Sequence, residues 1–328
     1  MTSNENSQKL KNLFCTVLTH TAPGANYRGE NEENRAVLQK ITDGRHDYAF
    51  ISSESIRNAI RETLNKLGLP CNRDRLFDEE QPAVKFKDYP DPDNYADDFF
   101  MGWLIAASDK DRKKIRKELE EKDRDPEAFS FKRDSILRMN IAVALEPYRY
   151  NTIFTQSPQD LTPKDLKSHR NTDNAQLLHR ETALTAFQFP FALNLNDCNA
   201  KKEWTQTLLK AIGELNGVAG NHARNYFEMA PSSIVARLTH QLVAGYDTYG
   251  FRISENREHS LPEIVDGVLN DDYPGSEFYI GGRIVKNMDE SARKNLEDKG
   301  VHLYRTPQSL LGKVGEDSFM LETSMKSS

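Results

Sequence analysis

The chain is poor in cysteine and tryptophan and has no long apolar run. Its three cysteines, Cys15, Cys71 and Cys198, are odd in number and widely separated. They offer no disulfide framework and no zinc-ligand spacing. The longest apolar stretches, 101–107 and 141–145, are far short of the about 20 residues a membrane span needs. The first residues, MTSNENSQKLKN, lack a basic region followed by an apolar one, so no secretory signal is expected. A reducing cytoplasm and no membrane partner follow. G-x-G-x-x-G, Walker A, H-E-x-x-H and G-x-S-x-G are all missing, so no motif nominates a catalytic residue or a cofactor.

What is present is charge, unevenly spread. Among 328 residues, 44 Lys+Arg face 50 Asp+Glu, a formal charge of −6. Taken as a mean, that opposes a protein that coats nucleic acid. Yet residues 78–98 alone carry −6, whereas 1–77 carry +2 and 132–253 carry +3. A basic groove is therefore compatible with an acidic chain. Within the acidic run, Asp88, Asp91, Asp93, Asp97 and Asp98 could suit a hard cation, but their spacing is not that of a calcium loop. A surface that repels nucleic acid or meets a basic partner is the expectation, with no metal.

The apolar pattern gives the elements. LFCTVLTH (13–20) alternates as a strand, followed by a Gly/Pro loop over 21–30 and a polar stretch to Asp47. A short strand ends at Ile51. Ser52 or Ser53 then caps a helix with Ile56, Ile60, Leu64 and Leu67 on one face, stopped by Gly68 and Pro70. Residues 70–132 have a different texture, with the acidic run, an apolar patch and a solvated helix in DKDRKKIRKELEEKDRD. SILRMNIAVAL (135–145) predicts one long strand with Leu137, Met139, Ile141, Val143 and Leu145 on one face. Residues 146–183 are too long for an ordinary hairpin loop and predict a protruding arm. LTAFQFPFALNL (184–195) predicts a strand in which Pro190 forces an edge or bulge. A helix over 201–216 and a strand over 232–239 complete the order strand, helix, strand, strand, helix, strand. That is the α+β, ferredoxin-like or RRM-like βαββαβ order. The final region adds a strand over 278–285, a helix near 289–299 and a strand over 301–304.

Five blocks carry a resemblance: LTHTAPGANYRGENEENR (18–35), YAFISSESIRNAIRETL (48–64), RMNIAVALEPYRY (138–150), TAFQFPFALNLND (185–197) and GELNGVAGNHARNYFEMAPSSIVARLT (213–239). The chain resembles the DevR-type "Cas-seven" backbone subunits of type I CRISPR Cascade, most like the I-B variety, within the RAMP superfamily. The resemblance implies an RRM-like palm (1–69 and 133–146, completed within 184–328, which also holds a C-terminal region), a helical fingers insertion (70–132) and a thumb hairpin (147–183). It implies a non-catalytic protein that binds CRISPR RNA and polymerises with other copies of itself into a helical filament. The guide would be held for pairing with target DNA as an RNA–DNA heteroduplex. Further partners would be the Cascade large, small and RNA-processing subunits, with a nuclease-helicase in antiviral defence or transposition proteins in RNA-guided insertion. Rival readings are a metal-dependent ribonuclease of the same fold and a DNA-binding regulator. Related ribonucleases use an aspartate in the loop after the first strand, but here residues 21–29 contain no acid.

A guide kept free for pairing must be gripped by its backbone. Candidate RNA contacts are therefore donors and cations near the expected palm. Ser52 and Ser53 lie at a helix N-terminus, where free N–H groups attract phosphate. Arg57, Asn58 and Arg61 share one face of that helix, read alternatively as a solvated face screened by Glu62. Asn26, Tyr27 and Arg28 occupy the Gly/Pro loop, which can equally be an ordinary turn. Asn221, His222, Arg224 and Asn225 follow Gly220 in a loop that can equally be a helix cap. Arg138 and Asn140 share a strand face, and Arg138 could instead pair with a carboxylate. In the thumb, Gln156 and Ser157 face RNA or the neighbouring subunit, and Ile153 and Phe154 are candidates to wedge bases apart.

Overall fold

The structure is a computed structural model. It describes residues 11–24, 27–32, 35–76, 83–156, 177–218 and 227–320; for 27–32, 35–36, 75–76, 83, 155–156 and 177–178 it describes the backbone. β1 (Asn12–Thr19) leads to β2 (Ala22–Gly24), β3 (Tyr27–Glu32), β4 (Arg35–Leu38), β5 (Lys40–Thr42) and β6 (Asp47–Ile51). The stretch expected as loop and polar linker is thus mostly strand. α1 (Ser53–Lys66) starts as predicted: the Ser52 hydroxyl accepts from the Ser55 N–H, and Ile56, Ile60 and Leu64 are buried.

The insertion holds β7 (Arg73–Leu76), β8 (Ala83–Phe86), α2 (Ala96–Met101), β9 (Trp103–Leu104), α3 (Asp109–Glu121) and β10 (Lys132–Arg133). It is not purely helical, because β7–β8 and β9–β10 are two-stranded ribbons. α3 is solvated as expected, with Leu119 its buried residue.

Next come β11 (Leu137–Met139), β12 (Ala142–Ala144), β13 (Thr152–Gln156), β14 (Leu177–Glu181), β15 (Ala183–Thr185), β16 (Phe187–Asn194), α4 (Leu195–Cys198), α5 (Lys202–Gly213) and β17 (Pro231–Thr239). The tail adds β18 (Arg252–Ile253), β19 (His259–Ser260), α6 (Pro262–Leu269), β20 (Phe278–Gly282), α7 (Arg283–Asn287), α8 (Glu290–Asp298), β21 (His302–Tyr304) and α9 (Pro307–Asp317). The strand expected to run to residue 285 ends at Gly282. There φ is +100°, and a Cβ would lie 2.2 Å from the Ser232 carbonyl oxygen, so only glycine allows the turn into α7.

These strands build a mixed α+β fold around one large sheet, in the order β21-β20-β17-β1-β16-β12-β6-β5, with β11 also on β16. β1 pairs antiparallel with β16 on one side and β17 on the other. Alternation then sends Leu13, Cys15 and Val17 to one face, with Phe187, Phe189, Phe191 and Leu193, where α1, α5 and α9 pack. Leu18, Val235, Phe278 and Ile280 face the other side, against Phe251, Ile264, Val268 and Leu296 of the tail.

The predicted long strand 135–145 is broken. Leu137 pairs with Leu193 and Met139 with Phe191, yet Ala144 pairs with Phe187, so the inward face changes parity across Asn140–Ile141. The cause is Pro190, which lies in the middle of β16 rather than at an edge. It accepts from the Asn140 N–H at 3.2 Å but has no N–H to return, so the ladder fails on its neighbour.

The acidic run is also reinterpreted. Asp97 and Asp98 are fully buried. The Asp97 carboxylate accepts from the backbone N–H groups of Asn72 (2.7 Å) and Arg73 (3.2 Å) and lies 3.1 Å from Arg61 Nε. Asp98 accepts from Asn72 Nδ2 at 2.7 Å and from the Asp91 N–H at 3.0 Å. These bonds fasten the insertion to α1. Burial, helped by nearby Arg73 and opposed by Asp97, pulls the Arg61 guanidinium down to about 10. Deleting one partner of such a pair strands a buried charge. Arg61→Met is therefore expected to cost about 3 kcal/mol, read as a lower urea midpoint at unchanged slope. A loss under about 0.5 kcal/mol, the range of ordinary surface changes, would show that the pair carries no stability.

Candidate nucleic-acid interface

The register of β1 decides which loops meet. Its last residue, Thr19, pairs with Pro231 at the start of β17, and Leu18 pairs with Gln188 near the start of β16. Ala144, the end of β12, pairs with Phe187. The segment after β1, the arm between β12 and β16, and the segment before β17 therefore all leave one end of the sheet. They are the three segments in which the sequence placed Tyr27 and Arg28, Ile153 to Ser157, and Asn221 to Asn225.

Their roots touch. β2 pairs with β15, Gly24 opposite Ala183, which joins the first segment to the base of the arm. On Gly24 a Cβ would lie 2.7 Å from the Phe227 ring, so the base of the third segment presses on the same residue. Here glycine serves close approach. Met229 N donates to the Leu215 carbonyl at 2.9 Å and closes the third root. Nothing in the composition of TAPG signals this contact; it arises from pairing between distant strands.

The arm forms a second sheet in the order β13-β14-β4-β3. β14 runs parallel to β4, with His179 opposite Arg35. Tyr27 and Arg28 thus lie in strand β3 rather than in a turn, within the sheet that carries Gln156. Ile153 and Phe154 are 51% and 64% exposed. The Phe154 ring stacks, tilted, 4.2 Å from His179. Phe154 and His179 form a cross-strand pair, as do Ile153 and Arg180, so an aromatic face and a cationic face lie back to back. Asn26, Ser157, Asn221, His222, Arg224 and Asn225 fall outside the described residues.

The residues expected on α1 divide. Ser52 accepts from Ser55 as the cap, and the half-buried Ser53 hydroxyl donates to Glu54 at 3.1 Å. Arg57 reaches inward: its Nη2 donates to the Leu137 carbonyl at 2.9 Å and to the Ser135 hydroxyl. Asn58 donates to Glu62 and accepts from Arg61, both at 3.2 Å. Arg61 is 7% exposed and paired with Asp97. The Arg57–Arg61 pair is corrected accordingly: it pins α1 to β11 and to the insertion, and Arg61 presents no charge to a phosphate. Helical spacing puts the two on one face but cannot say what covers it.

Arg138 and Asn140 are exposed, Arg138 within β11 and Asn140 in the break that follows it. Asn140 Oδ1 accepts from the Ile141 N–H at 2.8 Å. A cleft of about 630 Å³ opens here, lined by Asn140, Tyr48, Gln188, Tyr249 and Arg252 among apolar neighbours. Burial pushes the Tyr249 hydroxyl up to about 12, and it donates to the Ile141 carbonyl at 2.7 Å. The loop before β18 is thereby latched across the break.

Among the described residues, no group of three or more His, Cys, Asp or Glu could hold a metal ion. No helix there is long and apolar enough to cross a membrane.

The mixed α+β fold is similar to that of chains from CRISPR RNA-guided surveillance complexes. One such chain, from a complex described as pre-nicking, superposes with a TM-score of 0.60 at 11% identity, covering 94% of this chain and 100% of that one. A second surveillance-complex chain gives 0.57 at 11% identity, with the same coverage. At that identity the likeness is one of fold. In sequence, the chain is similar to the CRISPR-associated protein Cas7/Cst2/DevR of Myxococcus xanthus (strain DK1622). They are 27% identical over 299 residues, 88% of this chain and 92% of the relative. The resemblance to the DevR-type group thus extends over most of the chain. No protein-family model matches.

Gly24→Ala should push the Phe227 ring aside and cost about 1–3 kcal/mol by overpacking. Phe227→Leu in the same chain should recover part of that loss in thermal unfolding. Equal melting of wild type and Gly24→Ala would mean that the two roots are not in contact.

Proposed function

We propose that the protein is a CRISPR RNA-binding backbone subunit of a type I Cascade complex, of the I-B variety. It polymerises along the guide and holds it for pairing with target DNA. The observation that carries this reading is the match to Cas7/Cst2/DevR over nearly the full length of both chains. The topology supports it. Strands β17, β1, β16 and β12 lie side by side, and with α1 and α5 they give the βαββαβ order of an RRM-like palm. The insertion over 70–132 serves as fingers and the arm over 147–183 as thumb.

The guide's phosphates would lie along the sheet end where the three roots meet. Exposed Arg138 and Asn140 add donors, as does the N-terminal turn of α1 at Ser52 and Ser53. Tyr27, Arg28, Asn26 and the 221–225 donors belong to the segments rooted on Gly24 and Phe227, and Gln156 and Ser157 to the thumb. Phe154, backed by His179, is the better wedge, because a flat ring can stack on a displaced base. One subunit supplies few cations, so affinity comes from repetition along a filament. Other copies, the large, small and RNA-processing subunits, and a nuclease-helicase or transposition proteins would be the partners, in the cytoplasm. The subunit itself cuts nothing.

The protein purified from cells should carry nucleic acid, and RNA affinity should fall steeply with added salt. An absorbance ratio of pure protein with no RNA shift at low salt would sink the reading. Labelled RNA incubated with Mg²⁺ or Mn²⁺ should stay intact; cleavage would favour a ribonuclease. Phe154→Ala should weaken guide binding about tenfold, the loss of one stacked base, with unchanged melting. Equal retention would remove Phe154 as the wedge.

A further inference from the structure

We propose that Glu181, acting with Lys40, is a positioning residue that sets the angle of the thumb over the palm and thereby the affinity for the guide. The proposal rests on the guide-holding reading above. The two sheets share no ladder among the described residues. Gln39 alone separates β4 of the thumb sheet from β5 of the main sheet, and Thr182 alone separates β14 from β15. These single-residue crossings form the joint at the base of the arm, and Glu181 lies at it.

Glu181 is 3% exposed. Its Oε2 accepts from the Leu38 N–H at 3.1 Å and from Lys40 Nζ at 3.1 Å. One carboxylate oxygen therefore holds the last residue of β4, in one sheet, and the first residue of β5, in the other. Lys40 Nζ also lies 4.4 Å from the centre of the Tyr148 ring. Tyr148 N donates to the Asp47 carbonyl at 2.7 Å, so the outgoing root of the thumb is tied to the start of β6. Across the hairpin, Thr152 pairs with Glu181, and Thr182 N donates to the Asn151 carbonyl at 2.9 Å. Both roots of the thumb thus converge on one ion pair, with its carboxylate buried and its lysine side chain 25% exposed. Charge-assisted bonds of this kind resist opening, because parting them strands a charge away from water. The ribbon that presents Phe154, Ile153 and Arg180 begins at this joint, so a small change of angle moves its far end most.

The test uses the full-length protein and a labelled single-stranded RNA of guide length. Glu181→Gln keeps an acceptor for Leu38 but loses the charge; Lys40→Met keeps the stem and loses the ammonium. Each should weaken RNA binding about tenfold, the size of one charge-assisted bond, and the double variant should be no weaker than the worse single. Amide exchange should quicken in β13, β14 and β4. Exchange in β1 and β16 should hold, and the melting temperature should fall by only about 2–4 °C, the loss of one partly exposed ion pair. Single variants that bind as wild type, losses that multiply in the double, or exchange that rises equally in β1 would each overturn the clamp. Should wild type bind no RNA, the guide-holding reading fails, and the clamp is then decided by exchange alone: faster thumb exchange in both singles upholds it, unchanged exchange overturns it.

Discussion

The pairing of β1 along its whole length, with β16 on one side and β17 on the other, is the constraint on which the rest of the molecule depends. The register brings the exits and entrances of three sequence-distant segments to one end of a single sheet. It also buries β1 on both faces, so that its odd residues hold three helices and its even residues meet the C-terminal region. A slip of one residue would invert every side chain and separate the roots. The contact of Gly24 with Phe227 and the pairing of β2 with β15 follow from that register, because they join segments that β1 has already placed together.

Charge is used in two ways here, and net charge reports neither. In the insertion, Asp97 and Asp98 are structural: they accept from backbone amides and from Asn72, and Asp97 pairs with Arg61. Part of the most acidic stretch therefore belongs to the interior. On the exposed side, Arg138 stands on the open part of the sheet. At the joint between the sheets, one carboxylate holds two elements at once. A buried ion pair is weak evidence of stability for its own sake, because desolvation offsets much of the attraction. Its value is geometric, fixing which insertion or ribbon stands where.

Much of the framework could be read before any coordinates. The Ser52 cap, the Ile56–Ile60–Leu64 stripe and the solvated α3 all rest on local periodicity and capping, which a sequence states directly. The misses share another cause. The strands of 22–42 are short and polar and exist because β15, β14 and β6 pair with β2, β4 and β5, and β4 in turn with β3; alone, that composition reads as loop. Pro190 reads as disruptive in the sequence, but its effect falls on β11 and β12, because a missing N–H is felt by the neighbour that needed it. Arg57 and Arg61 showed the right spacing and the wrong environment, since periodicity puts residues on a face without saying what packs there.

The sequence by itself determined the α+β class, the likeness to DevR-type proteins and the uneven charge. Each is local or cumulative along the chain, and needs no knowledge of what lies opposite. Only the tertiary structure decided that the first segment joins the arm in a second sheet, that Gly24 gathers three roots, that the acidic run reaches the core, and that Glu181 lies where the sheets meet. Those features depend on contacts between residues distant along the chain, where the identity of a side chain says little until its partner is in place.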